Sequence, residues 1–410
     1  MTMPTLLAIN NYYYRRGGAE VVFLEQIRLF EEQGWQVVPF AMQHPHNLTS
    51  PWQDYFIDEI EFGSHYSLLE KAAKAAKITY SFEARNKIAA LAARVKPDIA
   101  HAHNVYHHIS PAILGQLKRL GIPTVLTLHD FKIACPAYKM LTHDGTCERC
   151  NGGAIWNVAL HKCVKESRLL SLVIMMESAV HRLLGCYARN VDQFITPSRF
   201  YLEKFVEWGW RREQFVYLPN FVDVGQFSPR GKVGKTFVYF GRLGPEKGLA
   251  TFIRAAALAG VKGWIVGTGP EEEKLCRLAQ ELSADVEFLG YKTGNELSDT
   301  ISNARAVVLP SEWYENAPMS VMEAYALERP VIGAAIGGIP ELIRPGETGA
   351  IFPSGDAAAL TEKLLQFTAM SDASVLAMGK AGREWVERDF TATRYRERLI
   401  ELYARMGVKS

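Results

Sequence analysis

The sequence predicts an α/β protein built from two doubly wound parallel sheets, and three observations lead there. Short apolar runs alternate with amphipathic helix patterns along nearly the whole chain, which is how strands buried on both faces and their crossover helices read. The rhythm breaks once, over Leu218–Gly234, where two prolines and three glycines leave little periodicity, and then resumes. A chain of 410 residues exceeds what one core comfortably holds, and two large domains fit it.

The elements follow in order. Thr5–Asn10 is an apolar β-rich run, followed by a turn at Arg15-Arg16-Gly17-Gly18. A helix pattern spans Ala19 to about Gln33: Val22, Phe23, Ile27 and Phe30 share a side, and Gly34 stops it. Strand Gln36–Ala41, helix Leu68–Arg94, strand Asp98–His103, helix Pro111–Leu120 and strand Thr124–His129 continue the alternation. An irregular cysteine-bearing segment precedes helix Ser167–Arg189, strand Gln193–Thr196 and helix Arg199–Trp208. After the break come strand Thr236–Phe240, helix Leu249–Ala259, strand Trp264–Gly267, helix Glu271–Leu282 and strand Val286–Leu289. Helix Glu296–Asn303, strand Ala306–Leu309, helix Met319–Leu327 and strand Pro330–Ala334 complete the set that periodicity resolves.

The expected division is a first domain over residues 1–218 with a Cys-rich insert at 135–163, a linker at 219–234, a second domain over 235–390, and a helix within 391–410. In that last segment Tyr395, Leu399 and Tyr403 recur at four-residue spacing with no strand to follow, so it is expected to pack back on the first domain. Two such domains are expected to leave a cleft, with ligands near strand C-termini and helix N-termini.

An apolar fraction of 48% and a net charge of +2, from 46 Lys+Arg against 44 Asp+Glu, exclude disordered, collagen-like and coiled-coil classes. Near-neutrality gives no electrostatic reason to expect nucleic acid as a partner. Met1-Thr2-Met3-Pro4 lacks the basic region of a secretory leader, and the longest apolar run, Leu169–Met176, is well short of the ~20 residues a spanning helix needs. The expected location is the cytoplasm, with peripheral contact at the inner membrane face allowed.

Two nucleotide motifs fail. The first strand is followed by Asn10-Asn11-Tyr12-Tyr13-Tyr14, not by Gly-x-Gly-x-x-Gly. Gly234-Lys235-Thr236 imitates the end of a phosphate-binding loop, but Pro229 stands where its first glycine belongs, and a strand follows. Gly267-Thr268-Gly269-Pro270 does join strand to helix, which turn chemistry alone would also produce.

Two other features carry more. Gly241-Arg242-Leu243-Gly244-Pro245-Glu246-Lys247-Gly248 puts two cations five residues apart on a turn. That spacing suits a diphosphate, and equally an ordinary solvated loop. Pro318 fits the first turn of a helix whose N-terminus offers free N–H groups to an anion, with Glu315 just before it and Glu323 little more than a turn inside. A carboxylate beside an anion pocket needs another role, such as accepting from sugar hydroxyls. The bland alternative is one surface acid and one helix-stabilising acid.

In chain order, Gly17-Gly18-Ala19-Glu20, Leu218-Pro219-Asn220-x-Val222-Asp223, Gly241-Arg242-x5-Gly248 and Gly267-x-Gly269-Pro270 resemble the motif succession of glycosyltransferase family 4. Glu315-x7-Glu323, Pro330-Val331-Ile332 and Gly337-Gly338-Ile339-Pro340-Glu341 continue that resemblance over nearly the whole chain. Members of this family are retaining, nucleotide-sugar-dependent enzymes of the GT-B fold. The resemblance implies that Arg242 and Lys247 hold the donor diphosphate, that Glu315 contacts the donor sugar hydroxyls, and that Glu323 meets the ribose. Gly17 and Gly18 would let the backbone close on the phosphates. His129 would stand near the donor sugar and the reacting carbon, making it and Glu315 the expected catalytic residues, and Tyr291 would lie where the backbone meets the base.

No cofactor is implied, because the cations neutralise a leaving UDP or GDP. The acceptor would be a saccharide or a lipid-linked sugar in surface polysaccharide or glycoconjugate synthesis. One departure stands out: the family's frequent Phe-Gly after the first glutamate is Asn316-Ala317-Pro318 here. Proline has no N–H, so donation to the diphosphate must come from Met319, Ser320 or their neighbours. A GT-B-like epimerase or phosphorylase, and a non-catalytic sugar-nucleotide-binding scaffold, are the alternatives.

Cys135, Cys147, Cys150 and Cys163, spaced C-x11-C-x2-C-x12-C, have the ligand number and the starting pair of a structural zinc site. A pair of disulfides or four unrelated thiols are the other readings. His101, His103, His107 and His108 also cluster, and strand alternation places His101 and His103 on one face, as metal ligands or as hydrogen-bonded histidines. His103, Arg15 and Arg16 are candidates for touching the acceptor. Lys71, Lys74 and Lys77, three apart on one helix, make either a basic edge for a membrane or a solvated face.

Overall fold

The computed structural model describes residues 3–59, 68–143 and 145–408, with the side chains of 68–73 outside that description. Its strands in chain order are β1 (Thr5–Ile9), β2 (Gln36–Phe40), β3 (Ile99–Ala102), β4 (Thr124–Thr127), β5 (Leu141–Thr142), β6 (Gly145–Thr146) and β7 (Gln193–Thr196). They continue with β8 (Phe215–Tyr217), β9 (Phe237–Phe240), β10 (Gly263–Val266), β11 (Val286–Phe288), β12 (Ala306–Leu309), β13 (Val331–Ala334) and β14 (Gly349–Phe352). The chain divides into two compact units. The first takes in the described residues of Met1–Met140, Glu148–Leu218 and Arg396–Ser410, and the second Leu141–Cys147 and Pro219–Tyr395.

The first unit holds a six-stranded sheet in the order β2-β1-β3-β4-β7-β8, parallel throughout. The second holds another, β11-β10-β9-β12-β13-β14, also parallel throughout. Both sheets are fed by apolar runs buried along their whole length, such as β1 and β12. Each such valine, leucine or isoleucine contributes ~1.5–3 kcal/mol by burial. In each sheet the strand order reverses once, between β1 and β3 and between β9 and β12. Ligands of open α/β sheets bind beyond the strand C-termini at such points. His103, Gly241 and Pro310 follow β3, β9 and β12, and His129 lies just beyond the neighbouring β4.

Two differences from expectation come from how helices are capped. The single helix expected over Leu68–Arg94 is two, Leu68–Thr79 and Phe82–Val95. Between them Ser81 is extended (φ −86°, ψ 106°), and its Oγ accepts from Ala84 N at 3.1 Å. Serine serves a helix better at that position than in its interior. The helix expected to reach Arg189 spans Arg168–Leu183. Gly185, at φ 62°, lets Cys186 N donate to His181 O at 2.9 Å, closing a Schellman turn. Periodicity passes over β8, β14 and the helices Ala357–Ala369 and Asp372–Asp389. Within the expected linker, Asn220, Phe221 and Val222 are buried, and Val222 N donates to Phe390 O at 2.9 Å.

The last helix, Ala392–Arg405, belongs to the first unit from Arg396 onward. There the Tyr403 ring lies 5.6 Å from that of Phe30 and 6.0 Å from that of Trp35. Among the described residues no helix is long and apolar enough to cross a membrane.

Candidate active site

In the second unit the motif turns converge on the backbone around Glu315. Gly248 closes the cationic turn at φ 63°, where a Cβ would come within 1.9 Å of Pro310 O, so the turn and the glutamate loop meet backbone to backbone. Gly337, at φ 60°, would put a Cβ 2.4 Å from Glu315 O, and Gly338 N donates to that oxygen at 2.8 Å. Asn220 Nδ2 donates to Ala317 O at 3.1 Å, holding the residue that precedes Pro318. The Leu-Pro-Asn, Gly-Gly-Ile-Pro-Glu and Gly-Arg motifs therefore share one geometric purpose, which is to fix the loop that carries Glu315.

The side chains build on that frame. Lys247 Nζ lies 2.7 Å from Glu315 Oε1, and Ser311 Oγ donates to the same oxygen at 2.7 Å. Glu315 is buried and Lys247 mostly so. Arg242 is more exposed, and its Nη2 lies 2.9 Å from Oε1 of the buried Glu246. The Lys247 ammonium also sits 5.1 Å from the ring centroid of Trp313, whose Nε1 is buried without an acceptor. Buried donors nearly always find an acceptor, and among the described residues this one has none.

Pro318 caps the helix Met319–Ala326, and the N–H groups of Met319 and Ser320 fall in its first turn, where no intrahelical acceptor exists. One turn on, burial pushes the Glu323 carboxyl up to about 7. Tyr291 is three-quarters exposed and takes no part in these bonds.

In the first unit three imidazoles form a column at the ends of β3 and β4. The His101 and His103 ring centroids are 4.9 Å apart, and those of His103 and His129 are 5.1 Å apart, each pair inclined by 18°. Gln26 Oε1 lies 3.2 Å from His103 Nε2, and Gln26 Nε2 lies 2.8 Å from His101 Nδ1. With the amide so oriented, His103 carries its proton on Nε2, and its Nδ1 accepts from His129 Nε2 at 2.8 Å. His101 Nδ1 accepts from Tyr403 OH at 2.6 Å, while its Nε2 donates to Thr127 Oγ1 at 2.7 Å. The hydrogen-bonded alternative is thus the arrangement found.

Burial pushes His129 down to about 4 and, with His129 nearby, His101 to about 3; His103 falls well below its ordinary value for the same reasons. All three are neutral at pH 7. Unfolding restores pKa values near 6.5, so the stability they confer is complete above that pH and is lost as pH falls toward 4. Each contributes up to ~1.4 kcal/mol per pH unit. Urea unfolding at pH 7.5, 6 and 5 is expected to show this slope, and His129→Asn to reduce it by about one proton; equal slopes in the two proteins would contradict the assignment.

The glycines of the first turn are not demanded by the fold. Gly17 is an extended N-cap (φ −158°), Gly18 opens the helix Gly18–Glu31, both are exposed, and a Cβ on Gly18 meets nothing within 4 Å. Arg15 pairs with Glu25, and the Arg16 guanidinium stands 4.2 Å from the Tyr12 ring centroid.

The zinc expectation is not met by the arrangement. Cys135 and Cys150 are buried and Cys147 and Cys163 half-buried, yet among the described residues no three His, Cys, Asp or Glu side chains gather as a metal ion would require. Cys147, just after the β5–β6 hairpin, groups with the second unit and the other three with the first. Spacing supplies a ligand count without convergence. Of the basic helix edge, the Lys71 side chain lies outside the described residues, and Lys77 is paired with Glu83 at 2.6 Å. Sequence reasoning misses Ser311, Glu246, Asn220, Gln26 and Tyr403 as partners of site residues. Asn220 and Glu246 stand inside quoted motifs and Tyr403 in the spacing of the last helix, but none of these signals states which site residue it meets.

The family model described as Glycosyltransferase Family 4 matches residues 16–226, and that described as Glycosyl transferases group 1 matches residues 226–385. The chain is 30% identical over 218 residues to the putative colanic acid biosynthesis glycosyltransferase WcaL of Escherichia coli, covering 49% of this chain and 54% of that protein. It is 30% identical over 240 residues to a GDP-mannose-dependent monoacylated alpha-(1-6)-phosphatidylinositol monomannoside mannosyltransferase of Corynebacterium glutamicum, covering 52% and 62%. The matched stretches thus span only about half to three-fifths of these relatives. Among solved structures, a sucrose-phosphate synthase of Thermosynechococcus elongatus superposes with a TM-score of 0.72 at 21% identity over 99% of both chains. HepE of Anabaena, in complex with UDP and glucose, gives 0.67 at 17% identity over 98% of this chain and 100% of that one. At such identities the likeness concerns the fold, which is GT-B.

Proposed function

The chain belongs to glycosyltransferase family 4, and on that premise we propose that it transfers a hexose-type sugar, with retention, from a UDP- or GDP-sugar to a saccharide or lipid-linked acceptor. The observation that supports this best is the Lys247–Glu315–Ser311 arrangement. A buried carboxylate has both bonds on one oxygen, leaving the other for sugar hydroxyls, beside an ammonium, an unpartnered indole N–H and a helix N-terminus suited to a diphosphate.

In this reading the bond between the anomeric carbon and the diphosphate oxygen breaks, and negative charge grows on that oxygen. Arg242, Lys247 and the N–H groups of Met319 and Ser320 stabilise it without reorganising, so no cofactor is needed for the chemistry. The acceptor hydroxyl forms the new bond on the same face, and its proton leaves with the diphosphate. Glu315 orients the sugar. Neutral His129, held by the column behind it, presents its remaining ring nitrogen to the donor sugar, and Glu323 accepts from the ribose. Tyr291 lines the base and Arg15 and Arg16 serve the acceptor, whereas His103, buried with both ring nitrogens engaged by Gln26 and His129, positions His129 instead of touching the acceptor. Membership of this family favours transfer over epimerisation. The relatives named for colanic acid and for a phosphatidylinositol mannoside support a surface glycan or glycolipid as the product.

Measuring nucleoside diphosphate released from a panel of UDP- and GDP-sugars, with and without lipid-linked acceptors, tests the proposal. Binding without release would make the protein a scaffold instead. The glycine turn gives a sharper test. Gly18→Ala is expected to leave the fold intact, or to stabilise it by up to ~1 kcal/mol, since alanine suits a helix better. The same change is expected to raise KM for the donor about tenfold, because the added methyl obstructs the backbone's approach to phosphate. An unchanged KM would remove Gly18 from the site.

A further inference from the structure

The helix Arg168–Leu183 is inside out. Its four buried residues, Ser171, Glu177, Ser178 and His181, are all polar. Glu177 Oε2 lies 2.8 Å from the buried Lys132 Nζ, and its other oxygen lies 3.5 Å from His107 Nδ1. His181 Nε2 donates to Thr79 O at 2.7 Å. These bonds fix the helix by its polar side and leave the apolar side unused. Leu169, Leu172, Met176 and Leu183 recur at three-, four- and seven-residue spacing, which makes one stripe, and they are 66%, 42%, 58% and 80% exposed. Trp156 and Leu160, just before and on the short helix Asn157–Leu160 that packs against this one, are exposed as well. A monomer in water rarely leaves so much contiguous apolar surface without use.

The charges around the stripe say what covers it. Lys162, Lys165 and Arg168 are exposed where the two helices join, and Glu166 is the single exposed acid from Trp156 to Leu184. We propose that this face docks on an anionic lipid bilayer. The helix lies in the interfacial plane with its leucine and methionine side chains among the acyl chains. Trp156 sits at headgroup level, and the three cations meet lipid phosphates. The helix has 16 residues, too few to span, which leaves lying flat as its way of using the apolar stripe. A second copy fits less well, because a two-fold contact would bring the same cationic rim against itself.

Vesicle binding tests this without reference to turnover, so its failure is separate from a failure of the proposed catalysis. The full chain is expected to co-sediment with phosphatidylcholine vesicles containing about 30 mol % phosphatidylglycerol, and far less with phosphatidylcholine alone. Raising NaCl from about 50 to about 300 mM is expected to weaken binding about tenfold. Met176→Glu/Leu183→Glu should abolish binding with an unchanged melting temperature, since both side chains are exposed. Lys162→Gln/Lys165→Gln/Arg168→Gln should weaken it on anionic vesicles by about 10²-fold, roughly fivefold per cation. No sedimentation at low salt overturns the proposal, and so does unaltered binding by Met176→Glu/Leu183→Glu. A lipid-free dimer that this double variant dissociates in sedimentation velocity would assign the face to a second copy instead.

Discussion

Alanine at Lys247 or at Arg242 is expected to lower kcat/KM for the nucleotide sugar about 10²-fold, the usual cost of removing one donor from a developing oxyanion. The two variants part company in stability. Lys247 is the cation bonded to a buried carboxylate, so its removal leaves Glu315 with Ser311 alone and is expected to cost ~3 kcal/mol. Arg242 is half exposed, and its loss is expected to cost ~1 kcal/mol.

The double variant Lys247→Ala/Glu315→Gln separates the two roles of the lysine. Glutamine keeps an oxygen for Ser311 and removes the stranded charge, so thermal stability should return most of the way while turnover stays low. Melting curves and steady-state kinetics on the three proteins check this. Turnover within threefold of wild type in both single variants would overturn the diphosphate site.

Glu323 sets the second large effect. Burial raises its carboxyl to about 7, so the fold favours the neutral form. The stability linked to this group is complete below about pH 4.5 and declines as pH rises to 7, by about 3 kcal/mol across the window. Glu323→Gln is accordingly expected to stabilise the protein at pH 8 and to change little at pH 4.5. Function runs the opposite way: two ribose hydroxyls donate best to the carboxylate, so nucleoside binding is expected to weaken up to tenfold for each pH unit below 7. In Glu323→Gln binding should be pH-independent and roughly 10- to 10²-fold weaker at pH 8. Titration calorimetry with uridine or guanosine, which carry no titrating phosphate, reads both. A flat wild-type profile between pH 6 and 8 would detach Glu323 from the ribose.

How much of this is legible in sequence differs from element to element. Strands such as β1, β7 and β12 are placed within a residue, because a buried parallel strand is an apolar run with nothing to disguise it. β14 escapes periodicity: Gly349-Ala350-Ile351-Phe352 is four residues long and half of it small. Ser81 is submerged in an alanine-rich pattern, since periodicity sums over a window and a cap acts through a single hydrogen bond. Spacing in sequence counts possible zinc ligands, whereas a metal needs them in one place, and among the described residues no three such side chains gather.

The same division runs through the site. Arg242, Lys247, Glu315 and Glu323 stand in motifs whose spacing is local, fixed by a turn or by one pitch of a helix, and local spacing is what a sequence states directly. That Lys247 closes on Glu315, 68 residues away, that Ser311 shares the same oxygen, and that Gly338 and Asn220 brace the loop follow only once β9, β12 and β13 lie side by side. The histidine column needs four distant segments at once, the ends of β3 and β4 together with Gln26 from the helix Gly18–Glu31 and Tyr403 from the helix Ala392–Arg405. The outward-facing leucines of Arg168–Leu183 look from sequence like an ordinary buried helix. Hydrophobic periodicity tells which residues share a face, and only the neighbours, here Lys132 and His107, decide which way that face turns.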